Sequence, residues 1–306
     1  MESMYDFLEQ ESSGQREEGP RKETEAFDPE TYRERKRAER QALFALLDEA
    51  SKEAVSSDEA FSQYIRLQAR LNYTISNSLL IFMQKPDAAV LKTFEDWKAQ
   101  GVRIRKNSKA IQILEPYAAR NRDGEAFTAF QVKRVLDISQ TNALPENHRK
   151  EEASDKVKFF AIMGISKAKV EAAETHTYGE DVFYDSKQNI IYLRKGLERE
   201  AFLNGLIREE VKAAVFDGNE ETLPEIQRFQ AACAAYLIQR EYGLAESDQG
   251  IPVPQGLNHM EPKEIRRILE CPVQIHQQLK DMQKQIAGKL NEKQSRNQDA
   301  REAYER

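Results

Sequence analysis

Apolar residues recur along this chain mostly at helical spacing, with one stretch of alternation in the first half and short apolar runs in the second. Asp28 before Pro29 reads as a helix cap and first helical position, opening a helix towards Ser51. Its start is almost wholly charged, and apolar packing begins only at Leu43, Phe44, Leu46 and Leu47. Ser56 with Glu59 three positions on is a capping-box pattern. It precedes Phe61, Ile65 and Leu67 or Gln68 at helical spacing. Asn77 to Met83 forms a compact apolar helix stopped before Pro86. Thr93 caps a short helix through Trp97 that ends at Gly101. One tryptophan at helical spacing from Phe94 reads as core.

Strand character comes next. Ala110 to Tyr117 and Phe127 to Leu136 flank Asn121-Arg-Asp-Gly124, and Asp-Gly between alternating runs is a hairpin signal. After a polar stretch come a helix near Val157 to Met163 and strands near Tyr178 to Tyr184 and Ile190 to Leu193. Helices then run from Glu198 to Phe216 and from Pro224 to Tyr242. Glu261-Pro262 opens a last helix expected to break at Pro272. Tyr178, Tyr184 and Tyr192 read as core aromatics. The pattern predicts an α+β chain: N-terminal helices packed with an antiparallel hairpin or sheet, then a mainly helical domain with a small sheet. The expected divisions are a disordered tail (1–27), a first domain (28–142), a linker (143–155), a second domain (156–280) and a polar helical tail (281–306).

Composition narrows the functional classes. No apolar run reaches the ~18 residues of a membrane span, and the acidic start lacks the layout of a signal peptide. Cys233 and Cys271 show no paired spacing, as expected of small buried hydrophobes in a reduced, cytoplasmic protein. The chain carries 46 Lys and Arg against 52 Asp and Glu, a net charge of −6. That balance alone argues against a polyanionic partner. The distribution argues the other way, because Tyr64 to Gln112 holds nine basic residues against three acids. Salt screens charges farther apart than ~10 Å, so a local footprint outweighs the sum.

The basic residues gather at Arg103, Arg105, Lys106 and Lys109, just ahead of the first hairpin strand. On an extended segment Arg103 and Arg105 share a face, a stripe suited to a phosphate backbone. Asn72, Ser76, Asn77 and Gln84 offer uncharged donors and acceptors, and Tyr73 and Tyr117 are candidate platforms for base stacking. For Asn77, a buried amide tying a loop to a helix is an equal alternative.

Taken in order, Asn77-Ser-Leu-Leu-Ile-Phe-Met-Gln-Lys-Pro86, Phe94, Trp97, Gly101 with its basic turn, and Leu136-Asp-Ile-Ser-Gln-Thr141 resemble the N-terminal single-stranded DNA-binding domain of ArdC-type antirestriction proteins. The resemblance covers about 38 to 142. It departs at Asn107-Ser108, where the family usually has Gly-Glu, and Asn tolerates the left-handed backbone such a turn needs. It implies sequence-tolerant binding of single-stranded DNA, in the service of antirestriction or protection of transferred DNA, in the setting of plasmids and conjugative elements.

Asp181-Val-Phe-Tyr184, Asn189-Ile-Ile-Tyr-Leu193 and the helix after them resemble the ImmA/IrrE-type zincin layout that often follows this module. There a helix carries H-E-x-x-H, two imidazoles for zinc and a glutamate base. Here the matching stretch is Arg208-Glu209-Glu210-Val211-Lys212, and the third ligand position falls at Ala232. Arginine and lysine are cations without a lone pair for a metal. The four histidines (His148, His176, His259, His276) include no pair one helical turn apart. The expectation is a pseudo-metallopeptidase with no metal or cofactor, its helix keeping an apolar face at Leu203, Leu206, Ile207, Val211 and Val215. Arg208 and Lys212 are expected in ordinary ion pairs with Glu209 and Glu210. The alternatives are a zinc peptidase acting on a regulatory protein, and a scaffold whose domains bind protein partners without DNA.

Overall fold

The computed structural model describes residues 28–121, 124–143, 153–216, 224–244 and 250–304, with side chains to 290. The expected tail (1–27), the turn residues Arg122 and Asp123, and His148 with most of the polar stretch lie outside them. The sheets and buried clusters all lie within residues 40–306.

The fold is α+β. Helix α1 (Pro29–Glu53) begins where Asp28 accepts the amides of Glu30 and Thr31 at 3.0 and 3.2 Å. Helix α2 (Asp58–Leu71) is capped by Ser57, one residue after the expected Ser56, because Ser57 is the residue in extended backbone whose hydroxyl reaches the Ala60 amide. Helix α3 spans Ile75–Gln84. After β1 (Leu91–Lys92), α4 (Phe94–Ala99) opens with a full capping box between Thr93 and Asp96. Trp97 is buried, as expected, and its indole N–H donates to Leu136 O at 2.9 Å.

Strands β2 (Ile111–Arg120) and β3 (Ala126–Asp137) form a long antiparallel hairpin, and with β1 a sheet of order β1-β3-β2. Helix α5 (Asp155–Ile162) leads to a second sheet of order β4-β6-β5. Strand β4 (Lys169–Ala173), absent from the expectation, pairs in parallel with β6 (Ile190–Arg194), and β5 (Val182–Asp185) pairs antiparallel to β6. The expected strand at Tyr178 starts only at Val182, because Tyr178 and Gly179 take positive φ and make a turn. Tyr178 is accordingly 80% exposed rather than core.

Helices α6 (Arg199–Phe216) and α7 (Pro224–Glu241) come next, and α8 runs unbroken over Pro262–Tyr304. The expected break at Pro272 does not occur. A proline has no N–H for the carbonyl four residues back, here Ile268. The buried Gln230 side chain on α7 donates to that oxygen at 3.0 Å, so the neighbouring helix replaces the missing bond.

The core does not divide at the polar stretch. Ile226, Phe229, Cys233 and Leu237 of α7 and Ile265 and Leu269 of α8 belong to the same buried cluster as Phe61, Leu67, Leu80 and Ile113. The second cluster, around Ile191, Leu206 and Val211, uses the other face of α7 through Ala234 and Ile238. The small residues of α7 thus seat one helix between two cores. Burial holds the Cys233 thiol well above its ordinary pKa, in keeping with an inert packing role.

Candidate nucleic-acid interface

The basic segment is held by its backbone and leaves its side chains free. Arg103 N–H donates to Asn142 Oδ1 at 2.8 Å, Asn142 N–H returns a bond to Arg103 O, and Arg105 N–H donates to Gln140 O. Ile104 bridges Thr141 between them. This extended pairing sends Arg103 and Arg105 to one side. Asn107 takes φ +62°, the left-handed conformation expected of the turn. Arg103, Arg105, Lys106 and Lys109 are all exposed, and none has a side-chain ion pair among the described residues.

The Asp137-to-Thr141 stretch is the clamp behind that segment. Asp137 is buried and accepts the amides of Ala89 (2.6 Å), Val90 (3.0 Å) and Ser139 (2.9 Å). Burial alone would raise its pKa, but these hydrogen bonds outweigh it and hold the carboxyl below the usual aspartate value. Gln140 accepts from Asp137 N–H and donates to Lys109 O at 2.6 Å, which fixes the far end of the basic loop.

The amides expected near DNA are placed differently. Asn77 is buried, donating to Leu114 O at 2.9 Å and accepting Leu114 N–H at 2.8 Å. Gln84, two turns on, grips Gln112 in the same manner at 2.8 and 2.9 Å. Both side chains act as a surrogate strand along the free edge of β2, so neither is open to a ligand. Asn77 thus makes the bonds of a structural amide, and Gln84 makes the same pair of bonds. Tyr73 packs partly against the core, and burial raises its phenol pKa. Asn72 is the exposed left-handed cap of α2. Ser76 lines a cleft against α8 rather than the basic loop.

Tyr117 is 41% exposed, and the structure gives it a companion that sequence reasoning passed over. Phe127 is 51% exposed. In the hairpin register Tyr117 faces Ala129 and Phe127 faces Ala119, so the two aromatics lie diagonally on one face opposite small residues. The hairpin register extrapolated from Asp-Gly carried the signal. Lys109 and Tyr117 lie about 26 Å apart along an extended strand, a span of several nucleotides.

On α6 the expected apolar face is buried throughout. Gly205 packs where any Cβ would fall 2.5 Å from Val182, bringing β5 against the helix. That approach lets Glu209 accept Tyr184 N–H at 3.0 Å while pairing with Lys212 at 2.7 Å. Glu210 turns inward instead of pairing with a cation, accepting the amide (3.2 Å) and hydroxyl (2.7 Å) of Ser166, and burial raises its pKa. Arg208 lines a cleft with His176, Glu180, Asp181 and Asn204. Ala232 is exposed and has no donor to offer. Among the described residues no group of three His, Cys, Asp or Glu side chains converges as a metal set.

A module of three packed helices and a hairpin that presents a clamped basic loop is the class these features define. Residues 47–165 match the model of the N-terminal domain of anti-restriction factor ArdC, through α5 and past the expected end at 142. The chain is also similar in fold to two crystal structures of the antirestriction protein ArdC from the R388 plasmid. The metal-free one aligns at TM-score 0.55 and 14% identity, the Mn(II)-bound one at 0.53 and 13%. Each alignment covers 78% of this chain and 98% of the other. No curated protein matches. In the stretch set against H-E-x-x-H by sequence resemblance, Arg208 and Lys212 are cationic, and both oxygens of Glu209 are engaged, one by the Tyr184 N–H and one by Lys212.

Proposed function

We propose that this protein binds single-stranded DNA without strong sequence preference, and that it does so in an antirestriction or DNA-protection role in a mobile-element setting. The observation that carries the reading is the basic loop: four exposed cations on a backbone clamped at both ends, with no counter-charge paired to them among the described residues. Cations held ready in this way exchange counterions for phosphates at little ordering cost. The Tyr117–Phe127 face adds a surface on which successive bases stack. The ArdC domain match and the R388 likeness support the antirestriction setting.

The α6 region is a former or look-alike zincin site that carries no peptidase chemistry and serves as scaffold or protein-docking element. Its support is the donor set. A lysine salt bridge and a backbone amide hold Glu209 where a metal-bound water would otherwise need it. Fluorescence anisotropy with an unstructured oligonucleotide at two salt concentrations tests the DNA reading. Binding that weakens steeply with salt and exceeds duplex binding is expected; no binding at low salt, or indifference to salt, refutes it. Elemental analysis of untagged protein tests the second part, and stoichiometric zinc or manganese would overturn it.

A further inference from the structure

The cleft that takes Ser76 has a chemistry of its own. Its walls are Thr74, Ile75 and Ser76 at the start of α3 and Lys263, Arg266, Arg267 and Glu270 on α8, enclosing about 280 Å³. Lys263 lies three and four residues before Arg266 and Arg267, and Glu270 four and three residues after them, so the four form one stripe facing the cleft. Three are cations and one a carboxylate. Arg266 is fixed: its guanidinium donates to Asp48 at 2.7 Å and to Ser51 Oγ at 2.9 Å. Lys263 and Arg267 are exposed and have no ion-pair partner among the described residues. Across the cleft, Thr74 makes no side-chain cap bond, so the first amides of α3 add positive potential to that of the cations.

We infer that this cleft is a phosphate subsite for a bound single strand, which makes the C-terminal helix part of the nucleic-acid interface. This rests on the single-stranded DNA reading above and extends it. A guanidinium and an ammonium on either side of a fixed arginine, facing two hydroxyls, match the tetrahedral oxygens of a phosphodiester. The volume takes a phosphate and part of its nucleotide but no folded partner. Helix α3 links the two regions, because its Asn77 and Gln84 hold β2 while its N-terminus forms one wall of the cleft.

The test compares the full chain, Lys263→Ala/Arg267→Ala, its Gln/Gln counterpart and Arg105→Ala/Lys106→Ala. The probes are labelled oligothymidine over a salt series and, separately, inorganic pyrophosphate. Both cleft variants should bind the oligonucleotide several-fold more weakly, with a salt slope shallower by about 1.4 for two lost contacts and an unchanged melting temperature. If they titrate as wild type while the Arg105/Lys106 variant is weakened, the cleft has no part in binding and the DNA reading stands. If the wild type binds no oligonucleotide, the DNA reading falls. Pyrophosphate binding abolished in the cleft variants would then keep the cleft as a site for free phosphates, and no pyrophosphate binding would overturn it.

Discussion

Cations in two parts of this chain, the loop before β2 and helix α6, are treated by the structure in opposite ways. Between Arg103 and Lys109 the backbone is committed and the side chains are not: main-chain atoms bond to Gln140 and Asn142 while four cations face solvent. On α6 the side chains are committed: Lys212 is bound to Glu209, which also receives the Tyr184 amide. A lysine counts towards a polyanion only where its own protein supplies no carboxylate. The two regions therefore differ in which of their cations stay available to a ligand.

The comparison breaks most readily at the clamp and the pins that keep the loop and hairpin in place. Asn77→Ala should cost about 2–4 kcal/mol, since it leaves both main-chain groups of Leu114 buried without partners; chemical denaturation measures this. A loss under about half a kcal/mol would return Asn77 to the set of ligand contacts. Asp137→Asn should destabilise by about 2–3 kcal/mol at neutral pH. Because folding lowers the Asp137 pKa, its contribution is present above the ordinary aspartate value and lost as pH falls through the folded one. The gap between wild type and variant should close on acidification, and a pH-independent gap would remove the charge from the account.

Next in size is binding. Arg105→Ala/Lys106→Ala should flatten the oligonucleotide salt slope by about 1.4 with no change in melting temperature. Phe127→Ala should weaken binding by about 1–3 kcal/mol if a base stacks there, and equal affinity would leave the hairpin face as plain surface. The smallest effect is expected at Lys212→Met. Lys212 is half-exposed while Glu209 is buried and keeps the Tyr184 amide, so the loss in stability should be about 1 kcal/mol, and DNA affinity should stay unchanged. A loss of DNA affinity there would erase the distinction between the loop cations and the α6 cation.

Local pattern made much of this legible. Helical spacing located α1 to α3 and the buried face of α6, Thr93 announced its helix, and the Asp-Gly signal placed the hairpin strands. The basic loop and the left-handed Asn107 were also readable, because charge and turn chemistry are properties of adjacent residues. The misread features depend on distant partners. Strand β4 exists through pairing with β6, some twenty residues on. Helix α8 passes Pro272 because Gln230, on another helix, serves the orphaned carbonyl.

The amino-acid sequence by itself determined where the elements form, which faces are apolar and where positive charge concentrates, since neighbours within a few residues settle those. Only the tertiary structure decided which polar groups remain available. Asn77 and Gln84 became strand-edge pins, Glu209 a tie between sheet and helix, and Lys263 and Arg267 the wall of a cleft. The physical reason is that a buried amide or carboxylate must find a partner, and the chain brings that partner from tens of residues away. Which donors and cations are left over for a ligand is known only after those bonds have been made.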